Sequence, residues 1–133
     1  MNVKRLGKFA ACALAAGFAC VPVAAQAPDL AMLNSLQRGG WVVKNRSDGT
    51  DERICVRTGR EFIQLRHGTG NCDRFIVQDD ASEVTVQYTC RGNGYGRTTI
   101  RREGNGLVQI QSTGFIGGKP FSMLAEARHA GAC

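Results

Sequence analysis

The sequence predicts a mainly β protein, an antiparallel meander of about seven strands curled into an open barrel or half-barrel. Apolar and polar residues alternate from Trp41 onward, and the connections between the alternating runs are short and rich in glycine. The length of 133 residues leaves room for one domain. Short consecutive links make neighbouring strands antiparallel, and curling limits the exposed edges of such a sheet. A short N-terminal helix and one short helical turn between strands complete the expected fold.

The first 25 residues are typical of an export signal rather than of a folded element. Three basic residues precede an apolar run over residues 9–23, which ends in small residues. Cleavage is expected after Ala25, which leaves residues 26–133 as a single disulfide-stapled β domain. The apolar run is shorter than the about 20 residues of a membrane span. The sequence therefore predicts a periplasmic or secreted protein with no membrane span.

The charge of the exported part argues against nucleic acid as a partner. The formal net charge is +6, but Lys4, Arg5 and Lys8 leave with the signal, so that 14 basic residues face 11 acidic ones. Most of the basic residues are arginines scattered singly along the chain. Nucleic-acid binding needs basic residues clustered on one face.

Residues 28–41 are predicted to form one short helix. Asp29 is a candidate N-cap, and Leu30, Leu33 and Leu36 recur at helical spacing before two glycines end the pattern. The leucines are expected to pack against the sheet.

The first hairpin is predicted around Asp48-Gly49, a dipeptide typical of a type I′ turn. In that arrangement Trp41 pairs with Val56 and Val43 with Ile54, which gives the hairpin one apolar face. A single helical turn or two follows over residues 58–67, because Thr58 and Glu61 have the spacing of a capping box. Further strands are predicted over residues 72–79, 83–91, 95–103, 107–115 and 121–129.

Four cysteines remain after signal removal, and their even number in an exported chain predicts two disulfides. No two of them have the close spacing of a zinc site, so no metal or other cofactor is expected. If Cys72 lies opposite Cys90, positions that sum to 162 pair across the hairpin, and Cys55 is left to pair with Cys133. A register one residue shorter would place Cys72 and Cys90 on opposite faces. A bulge near the turn would reconcile both registers.

The strands carry six bulky candidates for lining a pocket or filling the core. A curled sheet holds a small apolar ligand only if its own side chains leave space inside. These candidates are Trp41, Phe75, Tyr88, Phe115, Phe121 and Met123.

The chain resembles the bacterial family of small exported proteins called domain of unknown function 3617. The resemblance rests on GGW at residues 39–41, ERICV at 52–56, VQYTCRGNGYGRTTI at 86–100 and the terminal HAGAC. It implies a periplasmic or secreted β-rich domain with no established activity, cofactor or catalytic residues.

These observations favour a monomeric, non-catalytic binding or structural domain of the cell envelope, whose partner is an envelope protein or a small apolar ligand. No catalytic, cofactor-binding or metal-binding residue is predicted. The alternative is a small hydrolase or isomerase that uses carboxylates at the mouth of the curled sheet. Its candidate residues come from separate strands: Asp73, Glu83, Glu103 and His129.

Overall fold

A computed structural model describes residues 29–133, so the predicted export signal lies outside the described residues. Seven strands form one antiparallel sheet in the order β2-β1-β7-β6-β5-β4-β3, and the sheet does not close. The strands are β1 (Gly39–Asn45), β2 (Asp51–Val56), β3 (Cys72–Asp79), β4 (Glu83–Cys90), β5 (Gly94–Gly104), β6 (Leu107–Ile116) and β7 (Lys119–His129). This arrangement confirms the predicted mainly β fold and its open sheet. Within residues 29–133, no helix is long and apolar enough to cross a membrane.

Strands β2 and β3 follow each other in the sequence but lie at opposite edges of the sheet. Strands β3 to β7 follow one another as hairpins, whereas β1 pairs with β7 on its far side. The chain therefore crosses from one edge of the sheet to the other through residues 57–71. This connection contains two 3-10 turns, Arg60–Phe62 and Leu65–His67, within the range 58–67 where one or two helical turns were predicted.

The core lies on one face of the sheet, which we call the inner face. Trp41, Tyr88 and Ile100 point to this face and are fully buried, and Phe62 and Ile63 of the crossing connection cover them. The opposite, outer face is mainly polar. The connection thus acts as the second layer that a one-sided sheet needs for its apolar face.

The N-terminal helix is much shorter than predicted. Helix α1 spans only Ala31–Asn34, and Asp29 does not cap it, because Leu30 precedes the helix with a left-handed φ of 56°. The backbone N–H of Leu30 donates instead to the carboxylate of Asp79 at 3.1 Å. A tertiary contact thus decides where the helix begins. Leu30, Leu33 and Leu36 are nevertheless buried, as their spacing predicted.

The predicted register and turn type of the first hairpin are wrong. Trp41 pairs with Ile54 and Val43 with Glu52, a shift of two positions from the predicted pairs. Only Gly49 has a positive φ in the turn, so a type I′ turn, which needs two such residues, is absent from it. Because side chains alternate with a period of two, the shift leaves Trp41 and Val43 on the inner face.

The β3–β4 hairpin follows the register in which the two cysteines face each other. Cys72 pairs with Cys90 and Ile76 with Val86, and a bulge follows between Ile76 and Gln78. Beyond the bulge, Gln78 lies opposite Thr85, so the register becomes one residue longer. The alternative register predicted from apolar alternation was one residue shorter. The disulfide register therefore places Ile76 on the inner face and turns Phe75 outward.

Candidate binding cleft

The six bulky residues predicted to line or fill one interior do not lie together. Trp41, Tyr88 and Met123 are buried in the core, and the partly buried Phe121 packs edge-on against His67. The prediction is wrong for Phe75 and Phe115, which lie on the outer face.

The strand pairing explains both outward residues. Phe75 pairs with the polar Gln87 and is 70 % exposed, while Phe115 packs against Tyr95 with ring centroids 5.5 Å apart. Phe62 and Ile63 from the crossing connection occupy the space that the curled sheet would offer to a ligand. The inner face is therefore a packed core.

Both predicted disulfides are present. Cys72–Cys90 joins the paired strands β3 and β4, with Cα atoms 4.2 Å apart, and Cys90 belongs to the buried core. Cys55–Cys133 ties edge strand β2 to the last residue, with Cα atoms 5.4 Å apart. The two bridges thus fix β2 and β3, the outermost strands of the sheet formed by residues 29–133.

A cleft of about 800 Å³ lies where these two edges face each other. Glu52, Ile54 and Cys55 of β2 form one wall, and residues 70–74 form the other. The crossing connection supplies the floor. Because strands from opposite ends of the sheet line one cavity, the sheet must be curled. The volume falls within the roughly 300–1,000 Å³ of small-ligand sites.

The floor of the cleft is fixed to the sheet by buried polar contacts. The hydroxyl of Thr98 donates to the carbonyl of Ile63 at 2.6 Å and lies 2.8 Å from the hydroxyl of Ser112. Thr98 and Ser112 are buried on the inner face, so water cannot replace these bonds. Such buried, satisfied groups hold a connection in one position more firmly than apolar contacts alone.

His67 makes a second anchor of the floor. Its Nε2 lies 2.9 Å from the carbonyl oxygen of Asn93 and 3.1 Å from that of Phe115, and both are acceptors. Nε2 therefore carries a hydrogen, and Nδ1 accepts from the hydroxyl of Tyr88 at 2.9 Å in the neutral ring. Burial raises the pKa of Tyr88, so the hydroxyl keeps the proton that it donates.

Replacing Tyr88 with phenylalanine should lower the free energy of unfolding by about 1–3 kcal/mol, because Nδ1 of the buried His67 would lose its partner. Urea denaturation measures the loss. Tyr95→Phe is the matched control, since Tyr95 lies on the outer face and is 47 % exposed. Equal stability of the two variants would contradict the role assigned to the Tyr88 hydroxyl.

An arginine and a buried glutamine form the polar part of the cleft wall. Gln64 is buried, and its Nε2 donates to the carbonyl oxygens of Gly68 and Gly70, each at 2.8 Å. Its Oε1 accepts from the guanidinium of Arg74 at 2.8 Å. Gln64 thus fixes the loop before β3 and the direction of the Arg74 side chain at the same time.

A second arginine adds positive charge to the cleft. Arg60 donates to the amide oxygen of Asn34 at 2.9 Å and to the carbonyl of Asp29 at 2.6 Å, both uncharged partners. Burial lowers the pKa of Arg74, and the charge of Arg60 lowers it further, while Glu61 acts in the opposite direction. Within residues 29–133, neither arginine has a carboxylate oxygen within 4.0 Å.

The acidic residues of the cleft lie in a turn and on the two edge strands. The carboxylate of Glu61 accepts from the backbone N–H groups of Arg57 at 3.0 Å and Thr58 at 3.2 Å, which makes it part of the turn. Glu52 and Asp73 are exposed and lie on the two edge strands. The cleft therefore presents two arginines along with carboxylates at its rims.

The residues proposed for acid-base chemistry remain apart. Asp73 lines the cleft, Glu83 lies at a shallow depression of the outer face, and Glu103 is paired with Arg101 at 3.1 Å. His129 lies 3.1 Å from the carbonyl of Arg38 and packs against Trp41. In the part of the chain described, no group of three or more histidine, cysteine and acidic residues is placed to hold a metal ion.

Sequence reasoning missed Arg60, Gln64 and Arg74 as site residues. A signal for Arg74 was present, because the disulfide register puts it opposite Tyr88 on the same face as Cys72 and Ile76. A charged residue on the core face of a strand indicates either an ion pair or an opening in the core. The position of Gln64 depends on how residues 57–71 cross the sheet. The local sequence pattern does not predict the path of that connection.

Comparison of this chain with family models, with curated proteins and with solved structures finds no match.

Proposed function

We propose that the protein is an exported, non-catalytic binding domain of the cell envelope, and that it binds its ligand in the cleft between β2 and β3. The observation that carries this proposal is the cleft itself, about 800 Å³ in volume and lined by both free edges of the sheet. A packed inner face argues against a ligand inside the curl.

The chemistry of the cleft favours a polar ligand over the small apolar one expected from the sequence. Arg60, Glu61 and Arg74 line it, and the buried Gln64 holds one of the arginines in place. Binding sites commonly combine an apolar surface with a few fixed polar groups, and here Ile54 and Leu65 supply apolar surface. Location in an oxidising compartment fits the two disulfides.

Blocking the cleft should abolish binding. Thr69 is exposed and lines the cleft, so Thr69→Trp places a large ring in the space that the ligand would occupy. Native mass spectrometry of protein recovered from its own compartment should show a bound species. The affinity of the variant for that species should be roughly tenfold lower, which corresponds to about 1.4 kcal/mol of binding free energy.

Thr113→Trp is the matched control, because Thr113 is exposed on the outer face. It should retain the bound species. Hydrogen exchange gives an independent measure: amides of residues 68–74 should be more protected in protein as isolated than after unfolding and refolding, which release the ligand. The proposal fails if no bound mass is found and exchange is the same before and after refolding.

A further inference from the structure

The wall of the cleft formed by residues 70–74 ends in the open edge of strand β3, which begins at Cys72. Gly70, Asn71, Cys72, Asp73 and Arg74 line the cleft as an unbroken run. In the sheet of residues 29–133, β3 has β4 on one side and no strand on the other. An edge of this kind offers backbone N–H and C=O groups that an extended peptide can pair with.

The end of this open run carries a guanidinium whose bonds within residues 29–133 leave further N–H donors. Arg74 donates one N–H to Gln64, and the planar guanidinium has five in all. Gln64 is itself fixed by two bonds to the loop carbonyls, so the orientation of Arg74 is set before any ligand arrives. A guanidinium held in this way matches the geometry of a carboxylate.

The rest of the cleft carries charges of both signs and disfavours a ligand with several negative charges. Arg60 adds positive potential beside Arg74, whereas Glu52 and Asp73 would repel a ligand with several carboxylates. Glu61 adds a third carboxylate, whose oxygens accept from the backbone N–H groups of Arg57 and Thr58 and whose charge also acts on Arg74. A ligand that fits these charges carries one carboxylate, placed at the guanidinium of Arg74, on an otherwise uncharged body.

We propose that the cleft binds the C-terminal end of a short extended peptide, with the peptide carboxylate on Arg74 and the peptide backbone along the open edge of β3 from Cys72 to Arg74. The inference rests on the proposed binding function and names its ligand class. Backbone pairing gives little preference for side chains, so the site would accept a range of peptide sequences.

Nuclear magnetic resonance titration tests this assignment. The probe is a mixture of N-acetylated tripeptides of random sequence with a free carboxylate, and the matched control is the same mixture as C-terminal amides. The peptides with a free carboxylate should shift the NMR resonances of the backbone N–H groups of residues 70–74 and of the side-chain Nε–H of Arg74. The amides should bind roughly tenfold more weakly, as expected for loss of one charge-assisted hydrogen bond.

Variants separate the carboxylate contact from general charge. Arg74→Gln should reduce affinity for the acids roughly tenfold, so that acids and amides bind the variant about equally. Arg74→Lys, which keeps the charge but loses the planar fork, should fall in between. Arg97→Gln removes the same charge from the outer face, where Arg97 is exposed, and should bind like the parent protein.

Three results would overturn the inference: equal binding of acids and amides, an Arg74→Gln variant that binds the acids like the parent, or acetate alone reproducing every shift of the peptides. The last would leave a small-anion site with no peptide pairing. If any of these occurs while Thr69→Trp still removes a bound species, the binding function stands and only the peptide assignment fails.

Discussion

Replacing Trp41 with alanine should lower the free energy of unfolding by about 3–5 kcal/mol, the range for deleting a large buried aromatic side chain. Trp41 is fully buried, and its ring meets Phe62 edge-on with centroids 5.2 Å apart. Its Nε1 donates to the carbonyl oxygen of Gln37 at 2.8 Å. The substitution therefore opens a cavity between the sheet and the crossing connection and also removes a hydrogen bond.

Two controls separate these contributions. Trp41→Phe keeps much of the ring but loses the bond to Gln37, and we expect a smaller loss of about 1–2 kcal/mol. Phe75→Ala removes an aromatic side chain that is 70 % exposed on β3, and it should change stability by less than about 0.5 kcal/mol. Urea denaturation compares the three. A loss in Trp41→Ala no larger than that in Phe75→Ala would refute the central position assigned to Trp41.

Because Trp41 and Phe62 support the floor of the cleft, the same variant should also affect the site. Loss of the ring should loosen residues 60–67, which raises the hydrogen exchange of their amides more than that of β5 and β6. Binding in the cleft would then weaken along with stability. Thr69→Trp, by contrast, should block binding with little effect on exchange in the core.

The strands of this fold could be predicted from the sequence because each is a local pattern. Cys72–Asp79 was predicted to the residue, and the other four strands from residue 83 onward were predicted to within two residues at each end. Alternation and glycine turns lie within a few residues of one another, so they determine strands directly.

The features that the sequence did not predict depend on contacts between distant residues. The helix begins only after Leu30, whose backbone N–H donates to the carboxylate of Asp79, 49 positions away. Phe75 faces outward because the Cys72–Cys90 register, and not apolar alternation, sets the face of β3. The cleft has the same origin, since it exists only where residues 57–71 cross from one edge of the sheet to the other.

Removing the bridge between Cys55 and Cys133 should destabilise the protein by roughly 4 kcal/mol in the chain-entropy model, because the bridge closes a loop of 78 positions. The variant Cys55→Ala/Cys133→Ala tests this by urea denaturation under non-reducing conditions. Cys55 and Cys133 are both exposed, so the substitutions remove little packing. An unchanged urea midpoint would contradict the prediction.

The bridge between Cys72 and Cys90 gives the comparison. It spans 18 positions, for which the same model predicts about 3 kcal/mol, but Cys90 is also buried in the core. Cys72→Ala/Cys90→Ala should therefore lose packing as well as the constraint, and its total loss should exceed that of the longer bridge. Loop length alone would give the opposite order.

The two variants should also differ in where the sheet opens first. Strand β2 has β1 as its one neighbour in the sheet, and Cys55 ties it to a C-terminal tail that Gly40 holds through bonds to Ala130 at 2.7 Å and Gly131 at 2.8 Å. Without that bridge, hydrogen exchange should rise first in β2. Without Cys72–Cys90 it should rise first in β3, on the other wall of the cleft. The binding that we propose for the cleft uses both walls, so each variant should weaken it from a different side.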